Sequence, residues 1–526
     1  MAETKLEAKQ KRGGFERFIK TVEIIGNKLP HPFWLFISLI CIVLVLSFIL
    51  AQAGVSVTYL KASRSAAEAP VETTIAVQNL LSKQSMREFF QGFVSTYSGF
   101  AALGLVLIMM IGIGLLEQTG MLSSLMRATI LGAPEAYIIA VIAFVGVNAN
   151  LASDAGVVVV PAVAGAIFKS LGRNPWIGVI AGYCAANGGF GANMLIAGTD
   201  ALLAGITESV TKGLGIDAPV HPLMNWYFMF TASVIIIVAT VIVTRFFTEK
   251  YLGDDKTQID SSLIEKHKLT EDERKGLRAS GIAALVFIGI VLLLTVPKDA
   301  LFRAADGSIL PRSPLLSSVV SILFLFFFTV GMAYGKASGT IKTMKDVPQF
   351  MQKGVAGALS FIVIALPASL FIDLLSKSNI TVVVGVHAGN FLKEMNIQGF
   401  PLLLAFILIS ITMNIFITSG SAKWLILSPL FIPLFSILGY SPALTQIAYR
   451  IGDSCTNIIS PVDYYVPVIM GLLETYKTDA NREVGIGTVI SLCLPYSIAY
   501  FIGFVILLFV WFTLRLPLGP GVPSFM

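Results

Sequence analysis

The sequence predicts an all-α polytopic membrane protein of about nine transmembrane helices, with two opposed re-entrant hairpins, inverted repeats and broken helices. Three observations predict it. With 55% apolar and only 13% charged residues, and a mean hydropathy of +0.81, a 526-residue chain has too little polar surface for a soluble fold. Several apolar runs approach twenty residues, long enough to span a hydrocarbon core of about 30 Å as helices. Finally, two regions far apart in the chain carry prolines, glycines and polar residues in the same order inside apolar runs, the sequence sign of two structural repeats.

Charge and cysteine usage narrow the function classes. The formal charge of +6 comes from basic residues in short loops and tails, where they act as topology signals and not as a nucleic-acid-binding face. Cys41, Cys184, Cys455 and Cys493 lie in apolar surroundings, and His31, His221, His267 and His387 are the four histidines. None of these has metal-ligand or disulfide spacing. No catalytic His, Cys nucleophile with a base, or metal motif supports an enzyme.

Residues 1–30, with Lys5, Lys9, Lys11, Arg12, Arg17 and Lys20, read as a cytoplasmic tail. Ala51-Gln52-Ala53 has the small-x-small look of a cleavage site, but the run from Phe33 to Ala53 exceeds a signal h-region and about thirty residues precede it. It is read as a retained first span. Further apolar runs fall at 98–118, 136–151, 154–171, 175–206, 222–246, 279–296, 313–334, 355–378, 398–418, 422–439, 442–475 and 484–515. The runs at 154–171 and 422–439 are short and carry Pro161, and Pro429 with Pro433, near their middles. A proline there predicts two half-helices returning to the side they entered, hence re-entrant hairpins at about 152–172 and 419–439. The runs at 175–206 and 442–475 are interrupted by Asn187 to Asn193 and by Asp453 to Pro461, and read as broken helices.

The repeat follows from matching these features. Asn150 to Asp154, Pro161, Leu171-Gly172, Pro175 and Gly198-Thr199-Asp200 recur as Thr418 to Ser421, Pro429, Leu438-Gly439, Pro442 and Pro461-Val462-Asp463, at an offset of 268 falling to 263. The domains are therefore a first repeat at 31–246, a charged cytoplasmic connection at 247–278, and a linker helix with the second repeat at 279–526. Placing the tail and the charged connections 247–278 and 335–354 on the cytoplasmic side works only if 98–151 and 355–418 each supply one net crossing. Nine crossings result, with a cytoplasmic N-terminus, a periplasmic C-terminus and hairpins entering from opposite faces.

The chemistry concentrates at Tyr449-Arg450-Ile451-Gly452-Asp453-Ser454-Cys455-Thr456-Asn457. An isolated charge at bilayer depth costs roughly 2.5–3.5 kcal/mol on insertion scales, so such residues face protein or a wet cavity. Arg450 and Asp453 share a helix face and can pair, either as a structural lock or as part of a site. The helix-breaking Gly452, Ser454, Thr456 and Asn457 favour a site. There Arg450 holds an anionic group and Asp453 carries a proton or ligates a cation. Ser419, Gly420 and Ser421 precede a half-helix and can cap its N-terminus or present amides to an anion. Trp424 either stacks on an aromatic ring or anchors at an interface, and Lys423, near a helix end, is expected to snorkel to water. In the first repeat, Asn150, Ser153, Asp154, Asn187, Asn193 and Asp200 are the polar residues at comparable depth. Asp154 either caps the first hairpin or joins the site. Na⁺ near Asn150, Asn193 and Asn457, or a proton on Asp200 or Asp453, are both open as coupling ions.

Ser421-Ala422-Lys423-Trp424, the block Tyr449 to Pro461, the run Gly198 to Thr207 and the early Leu29-Pro30-His31-Pro32 resemble the AbgT family of bacterial p-aminobenzoyl-glutamate transporters, some described as sulfonamide exporters. The resemblance implies a homodimer in the inner (cytoplasmic) membrane, each protomer with nine transmembrane helices and two opposed hairpins. It also implies roles for Asp200, Ser421, Trp424, Pro442, Arg450, Asp453 and Pro461. Lys423 departs from the Ser-Ala-Gln-Trp of some members, and an added cation would favour a more anionic substrate. The expected function is secondary transport of a small aromatic anion, p-aminobenzoyl-glutamate or a sulfonamide, without an enzymatic cofactor and driven by H⁺ or Na⁺. The alternatives are a dicarboxylate or short-chain fatty-acid carrier and, from a different class, an ion channel.

Overall fold

The computed structural model describes residues 31–61, 71–253, 265–310, 313–356, 358–394, 399–477 and 484–526. The expected tail at 1–30, and residues 254–264 of the charged connection, lie outside the described residues.

Continuous apolar sequence gives seven helices able to cross a bilayer: Pro32–Gln52, Lys83–Gln118, Trp226–Leu252, Glu271–Leu293, Val319–Ala337, Leu359–Ser378 and Ile486–Thr513. Two further crossings are broken. Pro175–Gly188 continues through a 3₁₀ turn and an irregular stretch into Gly198–Leu214, and Pro442–Thr456 continues likewise into Val466–Thr475. Among the described residues this makes nine crossings. Gly420–Ile437 is also long and apolar enough to span. It serves instead as one arm of a hairpin.

Contacts between connecting segments test this count. Gln78 N–H donates to the Ser378 carbonyl (3.0 Å), Arg127 pairs with Glu273, Arg173 pairs with Glu249, and Tyr440 bridges to Phe525. The helices above separate each pair by an even number of crossings, as partners on one face require. Five crossings lie between the two hairpins, so the hairpins enter from opposite faces.

The hairpins turn at a different place from the one expected. Neither Pro161 nor Pro429 and Pro433 break a helix: Ser153–Ser170 and Gly420–Ile437 each run as a single 18-residue helix with its prolines inside. The segments at 152–172 and 419–439 are therefore second arms. The first arms are Ile138–Val147 and Phe400–Phe416, and the turns lie at Asn148 to Ala152 and at Ile417 to Ser419. In the second hairpin the Phe406 ring sits 4.4 Å from Phe431 and 5.3 Å from Phe435, which sets the arms antiparallel. A proline inside a helix loses one backbone bond, whereas a turn there would leave two helix ends to satisfy in apolar surroundings. The turns fall instead where Asn148, Asn150 and Ser419 supply polar partners. The crossing parts of 98–151 and 355–418 are accordingly Ala101–Gln118 and Leu359–Ser378.

One helix crossing outside the repeat cores depends on glycine. Gly354, in the amphipathic helix Asp346–Ala356, lies so close to Gly114 of Ala101–Gln118 that a Cβ on Gly354 would stand 2.5 Å from the Gly114 Cα and 2.5 Å from the Met110 carbonyl oxygen. Backbone cannot yield as a side chain can. Gly354→Ala is expected to destabilise the protein by about 1–3 kcal/mol, the usual cost of overpacking, read as a lowered melting temperature of the purified protein.

Candidate functional site

The two broken helices meet the two hairpin turns in the middle of the molecule. Pro175 and Pro442 each occupy the first turn of a broken helix, behind N-caps Asn174 and Ser441, where a missing N–H costs nothing. Each helix then breaks where glycine and amide residues gather. Gly191 is forced by proximity, since a Cβ there would lie 2.7 Å from Ser454 Oγ and 3.2 Å from the Arg450 carbonyl oxygen. The breaks of the two repeats therefore touch. Pro461 sits in the turn after the second break.

Two buried ion pairs hold this junction. Arg450 Nη2 reaches Asp200 Oδ1 at 2.7 Å, with exposures of 1% and 4%. Arg450 Nε donates to the Phe190 carbonyl (2.9 Å), Nη2 donates to the same oxygen, and the guanidinium lies 5.2 Å from the Phe190 ring. Asp200 accepts through Oδ2 from the Ala197 N–H (2.7 Å) and from Asn193 Nδ2 (3.2 Å). The second pair joins Lys423 Nζ to Asp453 Oδ1, with exposures of 0% and 1%. The same ammonium donates to Asn414 Oδ1, and Asp453 Oδ2 accepts from Asn457 Nδ2 at 3.0 Å. Asn414 Nδ2 in turn faces the Asp453 carbonyl (3.2 Å), Thr456 Oγ1 (2.8 Å) and Asn457 Oδ1 (2.8 Å).

These pairings correct two expectations. Arg450 does not pair with Asp453, although the two share a helix. One turn faces the first repeat and takes Asp200, while the next faces the second hairpin and takes Lys423. Lys423 does not snorkel to water: it is fully buried, because the first turn of Gly420–Ile437 packs inward against the broken helix.

Trp424 is fully buried as well. Its ring stacks on Tyr449 (4.9 Å between centroids, 26°), and its indole N–H donates to Thr207 Oγ1 at 3.0 Å. Thr207 also accepts from Gln446, which accepts from Asn225, so the indole anchors the second hairpin to both broken helices through a buried network. An aryl substrate finds no free face on it.

A cavity of about 320 Å³ opens beside these pairs. Thr418 to Ser421 from the second hairpin, Asn150 from the first turn, and Asn187, Phe190, Asp453 and Asn457 from the broken helices line it, with Tyr464 and Tyr465 closing one side. Ser421 is thus at the cavity. Arg450, Asp200, Trp424 and Asn193 lie behind its wall. Of the three amides expected to gather around one cation, Asn150 and Asn457 share the cavity, while Asn193 is tied to Asp200 and its Oδ1 has no partner. The side chains of Ser153 and Asp154 lie outside the described residues. Ser419 Oγ caps the second-arm helix by accepting from the Ala422 N–H (3.4 Å), which aims that helix's N-terminus at the cavity.

Sequence reasoning missed Asn414 and the depth of Lys423. An amide in the otherwise apolar run Phe400–Phe416 was the available signal. Asp463, the sequence match of Asp200, is buried and accepts from Tyr183 Oη at 2.8 Å, a bond between the two broken helices.

The profile of the AbgT transporter family matches residues 17–526. The chain belongs to the AbgT family. It is 35% identical over 502 residues to the p-aminobenzoyl-glutamate transport protein of Escherichia coli K12, covering 95% of this chain and 96% of that one. Two solved AbgT-fold structures superpose on it. Alcanivorax borkumensis YdaH, a transporter described as having an unusual topology, matches at TM-score 0.85 and 32% identity, over 93% of this chain and all of its own. Neisseria gonorrhoeae MtrF, from a class of antimetabolite efflux pumps, matches at 0.88 and 34%, over 96% of this chain and all of its own. This AbgT protein is thus a multi-pass membrane transporter and not an enzyme.

Proposed function

We propose that this AbgT protein carries p-aminobenzoyl-glutamate and related small aromatic anions, sulfonamides among them, by secondary active transport. The observation that carries the reading is the cavity between hairpin turn and broken helices, which joins a helix N-terminus to an aromatic wall. The amides and hydroxyls at Ser419, Gly420 and Ser421 suit a carboxylate or sulfonyl group, as helix N-termini do in other transporters with broken helices. Phe190, Tyr464 and Tyr465 offer apolar faces for the aryl ring in place of the buried Trp424. The names of the Escherichia coli and Neisseria gonorrhoeae relatives support the same substrate class.

Arg450 enters the reading as the tie between repeats. A substrate carboxylate reaches its guanidinium only by displacing Asp200 or the Phe190 carbonyl; Asp200 and, at the cavity itself, Asp453 are the carboxylates through which H⁺ or Na⁺ coupling would run. The basic tail supports a cytoplasmic N-terminus and, taken with nine crossings, a periplasmic C-terminus in a bacterium's inner membrane. A homodimer fits helix Glu271–Leu293, whose Leu285 and Leu293 are each 72% exposed and need lipid or a second copy to cover them.

Purified protein in proteoliposomes tests the function. Labelled p-aminobenzoyl-glutamate is expected to accumulate saturably under an imposed H⁺ or Na⁺ gradient, applied separately, and unlabelled compound should compete while glutamate without the aryl group competes at least about tenfold less well, or about 1.4 kcal/mol. Absence of saturable uptake, or equal competition by aliphatic dicarboxylates, sinks this reading in favour of another substrate class.

A further inference from the structure

The two repeats make the same kind of bond between hairpin and broken helix, from the turn residue Asn150 in one and from Asn414, near the end of the first arm, in the other. In the first, Asn150 Nδ2 donates to the Ala186 carbonyl at 3.1 Å; in the second, Asn414 Nδ2 donates to the Asp453 carbonyl at 3.2 Å. That bond aligns Ala186 with Asp453, at the same position from the opening prolines Pro175 and Pro442. In the two second-arm helices, Ser153–Ser170 and Gly420–Ile437, Lys423 falls opposite Gly156 when counted from the helix starts and opposite Ala155 when counted from the matched Pro161 and Pro429. The first repeat therefore has small uncharged residues where the second has a lysine and an aspartate. The acid and the base are present or absent together.

Their geometry resembles that of a bound cation and its ligands. The Lys423 ammonium is fully buried and lies between two side-chain oxygens, Asn414 Oδ1 and Asp453 Oδ1, which come from the first arm of the hairpin and from the broken helix. Asn457 holds the other carboxylate oxygen, and Asn457 Oδ1 and Thr456 Oγ1 are bound to the Asn414 amide one bond away. This is an oxygen-rich pocket of the kind that takes a hard monovalent cation. The single positive charge in it is covalently attached to the hairpin.

We propose that Lys423 is a tethered cation: its ammonium fills the position at the second hairpin turn that a free Na⁺ would otherwise occupy, so this half of the transporter closes without sodium, and Lys423 sets that independence. The inference takes from the proposed function only that the hairpin and broken helix separate and close during transport. Removing the ammonium while keeping the carboxylate and amides would leave a negatively charged oxygen cage next to the substrate cavity, which Na⁺ could enter through Asp453 and Asn457.

The test compares the wild type with Lys423→Gln, and with Lys423→Ala, in Na⁺ or N-methyl-glucamine buffers. Thermal stability of the purified protein is read without substrate, and p-aminobenzoyl-glutamate uptake is read in proteoliposomes. Both variants are expected to gain a Na⁺ response beyond any that the wild type shows: a saturable further rise in melting temperature and an uptake stimulated roughly tenfold more by Na⁺, the ordinary size of a coupling between sites. Adding Asp453→Asn to either variant should erase the gain. If a variant is recovered folded only when purified in Na⁺, that supports the proposal. Equal Na⁺ responses in wild type and variants, folded variants with none, or variants that no buffer recovers would overturn it. Failure of uptake in every protein, with the melting response intact, would count against the substrate and not against the tethered cation.

Discussion

Asp453→Asn is expected to abolish uptake and to lower the stability of the folded protein by about 3–5 kcal/mol, the usual cost of stripping one partner from a buried ion pair. The cause is local. The carboxylate that meets the Lys423 ammonium is 1% exposed, and the asparagine amide that replaces it carries no charge to balance an ammonium sealed from water. Combining Asp453→Asn with Lys423→Gln removes both charges and should recover most of the stability, because exchanging a whole buried pair for neutral groups is often nearly neutral. Uptake should not recover with it if Asp453 also carries the coupling step. Chemical denaturation or thermal melting in detergent measures the first quantity and proteoliposome uptake the second. A double variant as unstable as Asp453→Asn would show that the pair is not the unit that matters.

Arg450→Ala carries the second large effect, again expected as loss of uptake together with a destabilisation of about 3–5 kcal/mol. The guanidinium holds Asp200 from the first repeat's second half and the Phe190 carbonyl from its break, while its own backbone belongs to the second repeat. Removing it unties the two halves at their contact and leaves Asp200 with only the Ala197 N–H and the Asn193 amide. Arg450→Lys should restore little. An ammonium is a point charge without the planar fork that reaches a carboxylate and a carbonyl together. Wild-type flux through either variant would remove Arg450 from the site.

Much of the fold was legible from single-residue physics. Nine crossings follow from the lengths of apolar runs and the placement of lysine and arginine, properties that the bilayer imposes on each segment separately. That Asp200, Arg450 and Asp453 need protein partners follows from the cost of a charge at bilayer depth, which holds whatever the partner turns out to be. The hairpins were legible as a pair and misplaced in detail, because proline reads as a break in a sequence. In the folded protein, Pro161 sits inside a helix packed against Gly182, and the chain turns where asparagine and serine satisfy the freed backbone.

By itself, then, the sequence determined that this chain is a two-repeat helical membrane protein with charges at bilayer depth that need partners, and the wording of its motifs pointed to the AbgT family. Only the tertiary structure decided which charge meets which. Arg450 and Asp453 lie one turn apart, so helical spacing alone pairs them. In the fold the two turns face different neighbours, Asp200 across the repeat boundary and Lys423 on the second hairpin. Tertiary packing likewise moved Trp424 from the cavity to its support and Lys423 from the water interface to the core. Which residues are costly to bury is set one residue at a time, but what offsets the cost is supplied by segments tens or hundreds of residues away, and no local pattern encodes that meeting.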